Sequence, residues 1–374
     1  MLQALTRDYD VTLLCWKPPD LDATNRFFGT SVQASALKII TIPWVFRRIA
    51  EWDPDPGSIQ GWCLLMRRCK QLQSQYDLVL GTELEADYGV PGIQYIHSPG
   101  LVSFYPPAAA TLDRRWWRRC AALLRGELRP WMLVADFSFE CMRSNTTLTS
   151  SNWIGEVIAK AYRIETETLY PPAGGNFLRA PWEHREDGFV CVGRLSRNKR
   201  IEWMIENLAR VRVQQPGLKF HIAGSLDSAP DAQPYRRQLL ELVRANSQWV
   251  QFHENLSRED LLGLLARNRY GIHANLEEHF GIAVAEMMLA GCIPFVYHKG
   301  GPVEIVGGDP HLTYTSADDA VGKILQMMSD PALQQGTLER LAARAHLFTV
   351  ERFMRDVGAL VARELTRRAS GRVS

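Results

Sequence analysis

Short apolar runs alternate with stripes of helical period along most of the chain. Runs of strand length lie at 11–15 (VTLLC), 38–43, 77–82, 93–97 and 146–150, and a second series follows at 188–193, 219–224, 249–253, 270–274 and 293–297. Between them come helical patterns such as 201–212, where Ile201, Met204, Ile205 and Leu208 fall at i, i+3, i+4 and i+7, one apolar stripe. Ser257 with Asp260, and Ser316 with Asp319, have the spacing of capping boxes that open further helices. A last helix over 349–366 carries Val350, Phe353, Met354, Val357 and Leu360 on one face. Strand–helix alternation of this kind predicts an α/β fold, with parallel sheets covered by helices on both faces.

The two series are separated by LYPPAGGNFLRAPWEH (169–184), whose prolines and glycines read as a linker. The expected organisation is a first α/β domain over 1–170, a second over 171–348, and a C-terminal helix over 349–374 that returns to the first domain. A chain of 374 residues suits two domains, and 46% hydrophobic with 22% charged residues is an ordinary globular balance. The net charge of +2 gives no pointer to nucleic acid. The seven cysteines are scattered with no CxxC pair, which suggests neither a zinc site nor a disulfide framework and predicts a reduced, cytoplasmic protein. The start, MLQALTRDYD, is too polar for a secretory signal, and the longest apolar run (281–297) is too short to span a bilayer and is broken by Glu286, Gly291 and Pro294. That run reads as a buried helix, a glycine stop at Gly291 and a buried strand.

Two stretches could carry chemistry. In VGRLSRNK a strand ends at Gly193, and Arg194 and Lys199 sit in the loop before a helix. Cations at the carboxyl end of a parallel strand suit a diphosphate, and the same residues also read as a solvated basic loop. In EEHFGIAVAEMMLAG, Gly281 turns the chain into a helix whose first N–H groups can hold an anion. Glu286 lies about one and a half turns into that helix, among Val284, Met287 and Met288, where an acid is costly unless it has a partner. Ribose hydroxyls would supply one, and an ordinary capping acid at Glu278 with a helix-face acid at Glu286 is the other reading. Glu278, before the turn, could reach a neighbouring polyol.

VGRLSRNK, EHFGIAVAE and KGGPVEIVG together resemble the donor half of the retaining GT-B glycosyltransferases of family four. The likeness covers most of 77–366. It implies two doubly wound Rossmann-like domains facing a cleft, a nucleotide-sugar donor (GDP-mannose for preference), a glycan or lipid-linked acceptor, and no cofactor or metal. Arg194 and Lys199 match the pair that holds the donor diphosphate. Glu278, with the backbone of Phe280, Gly281 and Ile282, matches the part that meets the donor sugar. Glu286 matches the acid that holds the ribose. His97, at the end of YIHSPG, matches a histidine beside the donor sugar, and an ordinary structural histidine is the other reading. A front-face displacement, in which the leaving phosphate takes the acceptor proton, needs no enzymic nucleophile, and the sequence offers no obvious one.

DLD (20–22) and DPD (53–55) imitate a metal-binding DxD but lie outside the donor stretches. RRWWRRCAALLRGELRPWM (114–132) mixes arginine with tryptophan and suits an anionic membrane surface or a lipid-diphosphate acceptor, or equally a solvated helix with buried aromatics. WVFRR (44–48) is a related cluster, so the protein is expected to be cytoplasmic, with a peripheral place on the inner face of the cell membrane as the extension. The resemblance also sets ALTRDYDVTLLC as the family's first helix and second strand, leaving its opening strand and glycine loop absent. The reading frame is therefore expected to begin roughly 20–30 residues earlier. Two rival functions are a non-catalytic nucleotide-sugar-binding protein and a nucleotide-sugar epimerase on the same fold.

Overall fold

A computed structural model of the chain describes residues 1–50, 58–101, 130–177, 180–226 and 232–371. It divides into two compact units, Met1–Tyr170 with Phe353–Ser374, and Pro171–Arg352.

The second unit is built on six strands, β7 (Glu186–Leu195), β8 (Lys219–Leu226), β9 (Val250–Glu254), β10 (Asn268–His273), β11 (Ile293–Tyr297) and β12 (Thr313–Tyr314). All pair in parallel, in the order β12-β11-β10-β7-β8-β9. The chain winds outward from β7 to β9, then returns to the other side of β7 and winds outward again through β10 to β12. The order reverses between β7 and β10, and in such sheets ligands bind at the carboxyl ends of the strands at that point. Helices cover both faces, so the inner strands are continuous apolar runs rather than alternating ones. Phe189, Val190, Ile272, Ile293, Phe295 and Val296 are fully buried. Phe189 stacks on Tyr270, with ring centroids 5.0 Å apart, and Trp182 meets Tyr270 edge-on.

The first unit holds two parallel sheets, β1 (Val11–Cys15) with β2 (Leu37–Thr41), and β3 (Leu80–Glu83), β4 (Ile93–Ile96), β5 (Thr146–Thr149) and β6 (Glu167–Thr168) in that spatial order. β4 is buried along its whole length. Its Ile93 and Tyr95 pack with Leu148 against Phe353, Val357, Leu360 and Val361 of the last helix, Val350–Gly371.

Where local pattern and structure part, the causes are local. β6 and β12 have two residues each and are held by the neighbouring strand, so no periodicity announces them. The DLD acids open a helix: Asp20 is the N-cap of Leu21–Phe28 and accepts from Ala23 N at 2.8 Å, and Asp22 lies in its first turn. DPD and residues 114–129 of the tryptophan–arginine stretch lie outside the described residues, and Trp131 and Met132 belong to the helix Pro130–Val134.

Phe189 sits where β7 meets β10, so Phe189→Ala should cost the second unit about 3–5 kcal/mol. Urea denaturation followed by circular dichroism should show an earlier transition, with any separate transition of the first unit unmoved.

Candidate functional site

Both strands at the reversal point deliver side chains to one place. β7 ends in Gly193, Arg194 and Leu195, and a single turn, Arg197–Lys199, leads into the helix Ile201–Arg212. Lys199 folds back over Gly193, where an added Cβ would stand 3.5 Å from Lys199 Cε. β10 ends in His273, and Asn275 follows two residues later. Lys199 Nζ, His273 Nε2 and Asn275 Nδ2 converge on a single oxygen, Glu278 Oε2, at 2.5, 3.1 and 3.0 Å. A carboxylate accepts only, so the His273 proton that faces it is on Nε2. Burial pushes the Glu278 carboxyl up, but the His273 hydrogen bond and the charges of His273 and Lys199 outweigh it and hold the acid far below the usual carboxylate range. Arg194 is exposed at the tip of β7.

The backbone of Glu278 is set by a close crossing of two chain segments. Glu278 bridges to Gly300, and Gly301 N donates to Glu278 O at 2.9 Å. An added Cβ on Gly300 would stand 2.5 Å from Glu278 O, and one on Gly301 would stand 2.4 Å from His279 O and 2.6 Å from Phe280 Cα. Only paired glycines allow this contact. Gly281, at φ 89°, then turns the chain into the helix Ile282–Leu289. Val284 N and Ala285 N take Gly281 O, while the preceding N–H groups, those of Ile282 and Ala283, point out of the helix start as the partial positive end of its dipole. Phe280 is buried with its ring 6.0 Å from Phe348, and Ile282 is exposed.

Glu286 is 8% exposed, among Ala283, Val284, Met287 and Met288. The ribose hydroxyls expected at Glu286 would join a protein partner that is already in place. Arg258 Nη1 donates to Glu286 Oε1 at 2.6 Å. Burial pushes the Glu286 carboxyl up, and the Arg258 charge and hydrogen bond offset part of that. Sequence reasoning missed Arg258 because it sits at the first position of a well-capped helix, Arg258–Arg267, and reads as a solvated end. It also missed His273 and Asn275. The signal for those two was there: a histidine closing a buried strand and an asparagine two residues on, just before the acid–glycine turn.

His97 belongs to the first unit, just past the end of β4, with its ring 4.2 Å from that of Tyr95. Burial pushes its pKa down to about 4, so it is neutral at neutral pH.

Residues 178–346, which contain Arg194, Lys199, Arg258, Glu278 and Glu286, match the family Glycosyl transferases group 1. A protein of Neurospora crassa named GDP-Man:Man(3)GlcNAc(2)-PP-Dol alpha-1,2-mannosyltransferase is 36% identical over 326 residues, 75% of this chain and 57% of that protein. Proteins of the same name are 27% identical in Homo sapiens, over 51% of this chain and 43% of that protein, and 26% identical in Candida albicans, over 42% and 29%. The chain thus spans little more than half, or less, of the length of these relatives. Among solved structures, sucrose-phosphate synthase from Thermosynechococcus elongatus superimposes with a TM-score of 0.64 at 17% identity, over 96% of this chain and 90% of that one. Anabaena Alr3699/HepE in complex with UDP and glucose gives a TM-score of 0.64 at 14% identity, over 96% and 94%. These likenesses show the fold, the GT-B fold with its two Rossmann-like α/β units.

Two outcomes follow from the geometry. Gly301→Ala forces a methyl group into the His279–Phe280 backbone and should cost about 1–3 kcal/mol, read as a lowered melting temperature. The Glu278 carboxyl lies lower in the folded chain than in the unfolded one, so its contribution to stability is complete above the ordinary carboxylate range. That contribution is lost as pH falls below the range, through the depressed folded value. Glu278→Gln should therefore be less stable than the parent at pH 7, with the difference shrinking in strong acid, as urea titrations across pH would show.

Proposed function

We propose that the chain is a retaining hexosyltransferase that moves mannose from GDP-mannose to a lipid-linked glycan, a reading supported by the match of residues 178–346 to Glycosyl transferases group 1. The observation that carries this reading is the convergence of Lys199, His273 and Asn275 on Glu278, beside an open helix start, at the reversal point of the sheet. A phosphate-sized anion suits the helix start, and Lys199 and Arg194 lie on the β7 side of the same crevice. When the donor diphosphate arrives it competes with Glu278 for Lys199. Glu278, still tied to His273 and Asn275, then turns its other oxygen toward the hexose, and the backbone at Phe280, Gly281 and Ile282 lines the same sugar. Glu286 takes the ribose hydroxyls.

In the transfer, the bond from the sugar C1 to the diphosphate oxygen breaks and the acceptor hydroxyl oxygen bonds to C1. The hydroxyl proton passes to the departing phosphate, so the protein needs no nucleophile of its own. Its work is to stabilise charge on the leaving diphosphate, through Lys199, Arg194 and the helix start. His97, kept neutral by burial, retains its proposed role beside the donor sugar on its match to the family pattern alone.

Among the described residues, no helix is long and apolar enough to cross a membrane. A peripheral place on the inner face of the cell membrane fits a lipid-linked acceptor. The described surface adds support in the helix Trp44–Ala50, which leaves Trp44, Val45, Phe46 and Ile49 exposed next to Arg48.

Incubation with labelled GDP-mannose and a lipid-linked oligosaccharide tests the reading. The parent should give acceptor-bound mannose, and Lys199→Ala should lower kcat by about 100- to 1000-fold, the scale of losing one charge-stabilising donor. Neither GDP binding nor transfer in the parent would sink the proposal, and release of an altered nucleotide sugar without acceptor would replace it with an epimerase. A triple variant, Trp44→Ser, Phe46→Ser and Ile49→Ser, should float poorly with phosphatidylglycerol vesicles while its transfer to a water-soluble acceptor is kept. Flotation equal to the parent's would remove this helix from the membrane reading.

A further inference from the structure

Arg258 makes contacts on two sides. One arm of its guanidinium, Nη1, donates to Glu286 at 2.6 Å, and the other, Nη2, donates to Gly174 O. Gly174 belongs to the first residues of the second unit, PPAGGNF (171–177), which carry no charged side chain. The same guanidinium stands 5.8 Å from the ring centroid of Phe177. Phe177 packs in turn on a cluster that includes Val190, Leu265 and Met287, the neighbour of Glu286. At Gly175 an added Cβ would stand 3.1 Å from Arg258 Nη2 and 3.2 Å from Leu262, so the segment is pressed against the arginine. Arg258 itself is anchored at its root, where Ser257 caps the helix by accepting from Asp260 N.

We propose that Arg258 is a positioning residue of the nucleotide site: it aims the Glu286 carboxylate and latches the Gly174–Phe177 segment to it, so that filling the site tightens that segment. The inference rests on Glu286 meeting a nucleotide ribose. Physically, a guanidinium has donors in a rigid fork, so it can hold a carboxylate with one arm and a carbonyl with the other, and fixing either partner restrains the second. Two ribose hydroxyls arriving at Glu286 oppose Arg258 across the carboxylate and hold it against the arginine. The restraint then reaches the Gly174 carbonyl through the fork. A lysine keeps the charge but has one ammonium, which cannot span both partners in that geometry.

The experiment compares GDP with 2′,3′-dideoxy-GDP by calorimetry, because their affinity ratio isolates the ribose contact from phosphate and base. In the parent the ratio should be about 10- to 100-fold, the scale of a hydrogen bond to a charged group. Glu286→Gln should bring it close to one. Arg258→Met should reduce it to a few-fold although Glu286 is present, and Arg258→Lys should recover most of it. Hydrogen exchange supplies the second arm. GDP should slow exchange of the amides between 173 and 177 in the parent, and should not do so in Arg258→Lys, which keeps the charge and loses the fork. A ratio near one in the parent sinks the ribose reading and this inference with it. A parent-like ratio in folded Arg258→Met, alongside a collapsed ratio in Glu286→Gln, overturns the positioning role and leaves the ribose reading standing. Exchange in the parent that GDP does not change overturns the latch, and if Arg258→Met does not fold, Arg258→Lys with a ratio near one would equally overturn the claim that charge aims Glu286.

Discussion

The site hangs on two stretches of backbone that lie against each other with no room for a side chain between them. Gly300 and Gly301 bring one stretch to within hydrogen-bonding distance of the Glu278 carbonyl, and the bridge fixes where the Glu278 side chain begins. From that point a short carboxylate reaches Lys199 from the end of β7 and His273 from the end of β10. The same crossing sets the direction in which Gly281 launches the next helix, and so where its open N–H groups and Glu286 stand. Three features that look separate along the chain (the glycine pair, the acid and the helix start) are one mechanical unit.

Two carboxylates eight positions apart, one before the glycine turn and one in the helix after it, are driven in opposite directions by their surroundings. Glu278 has a lysine, a histidine and an amide on one oxygen and is held firmly ionised. Glu286 is enclosed by aliphatic and thioether side chains, and among the described residues the charge opposing it is Arg258, so burial has the larger say. Paired acids with diverging environments are a common sign of divided labour in a site. Here the division runs between a group whose charge is locked by its neighbours and one whose charge depends on a single contact.

Much of the second unit was legible because its strands are buried on both faces. Such strands are unbroken apolar runs, and 293–297 stood out on that ground, whereas the edge strand 249–253 carries Gln251 on an exposed face. β6 and β12 did not, since two residues make no pattern and their existence depends on a neighbour already in place. The site divides the same way. The spacing of Glu278 and Glu286 around Gly281 is local and could be read directly. The partners that give those acids their character come from elsewhere: Lys199 from 79 positions away and Arg258 from 28. No local rule ties a capped helix end to a buried acid, so nothing in the local pattern singles out Arg258, and Asp20 and Asp22, which only imitate a metal pair, open a helix.

β7 sits in the middle of its sheet yet is the first of the six strands to be made. One of its neighbours, β8, follows after a single helix, whereas β10, on its other side, follows after three helices and two strands. On the ribosome, β7 therefore emerges long before one of its two edges can be covered, and non-local parallel pairing of this kind is slow to form. The exposed edge carries Phe189 and Val190, which are sticky until β10 docks. The sheet architecture that puts β7 beside β10 thus also creates a window during synthesis in which the nascent chain is open to aggregation.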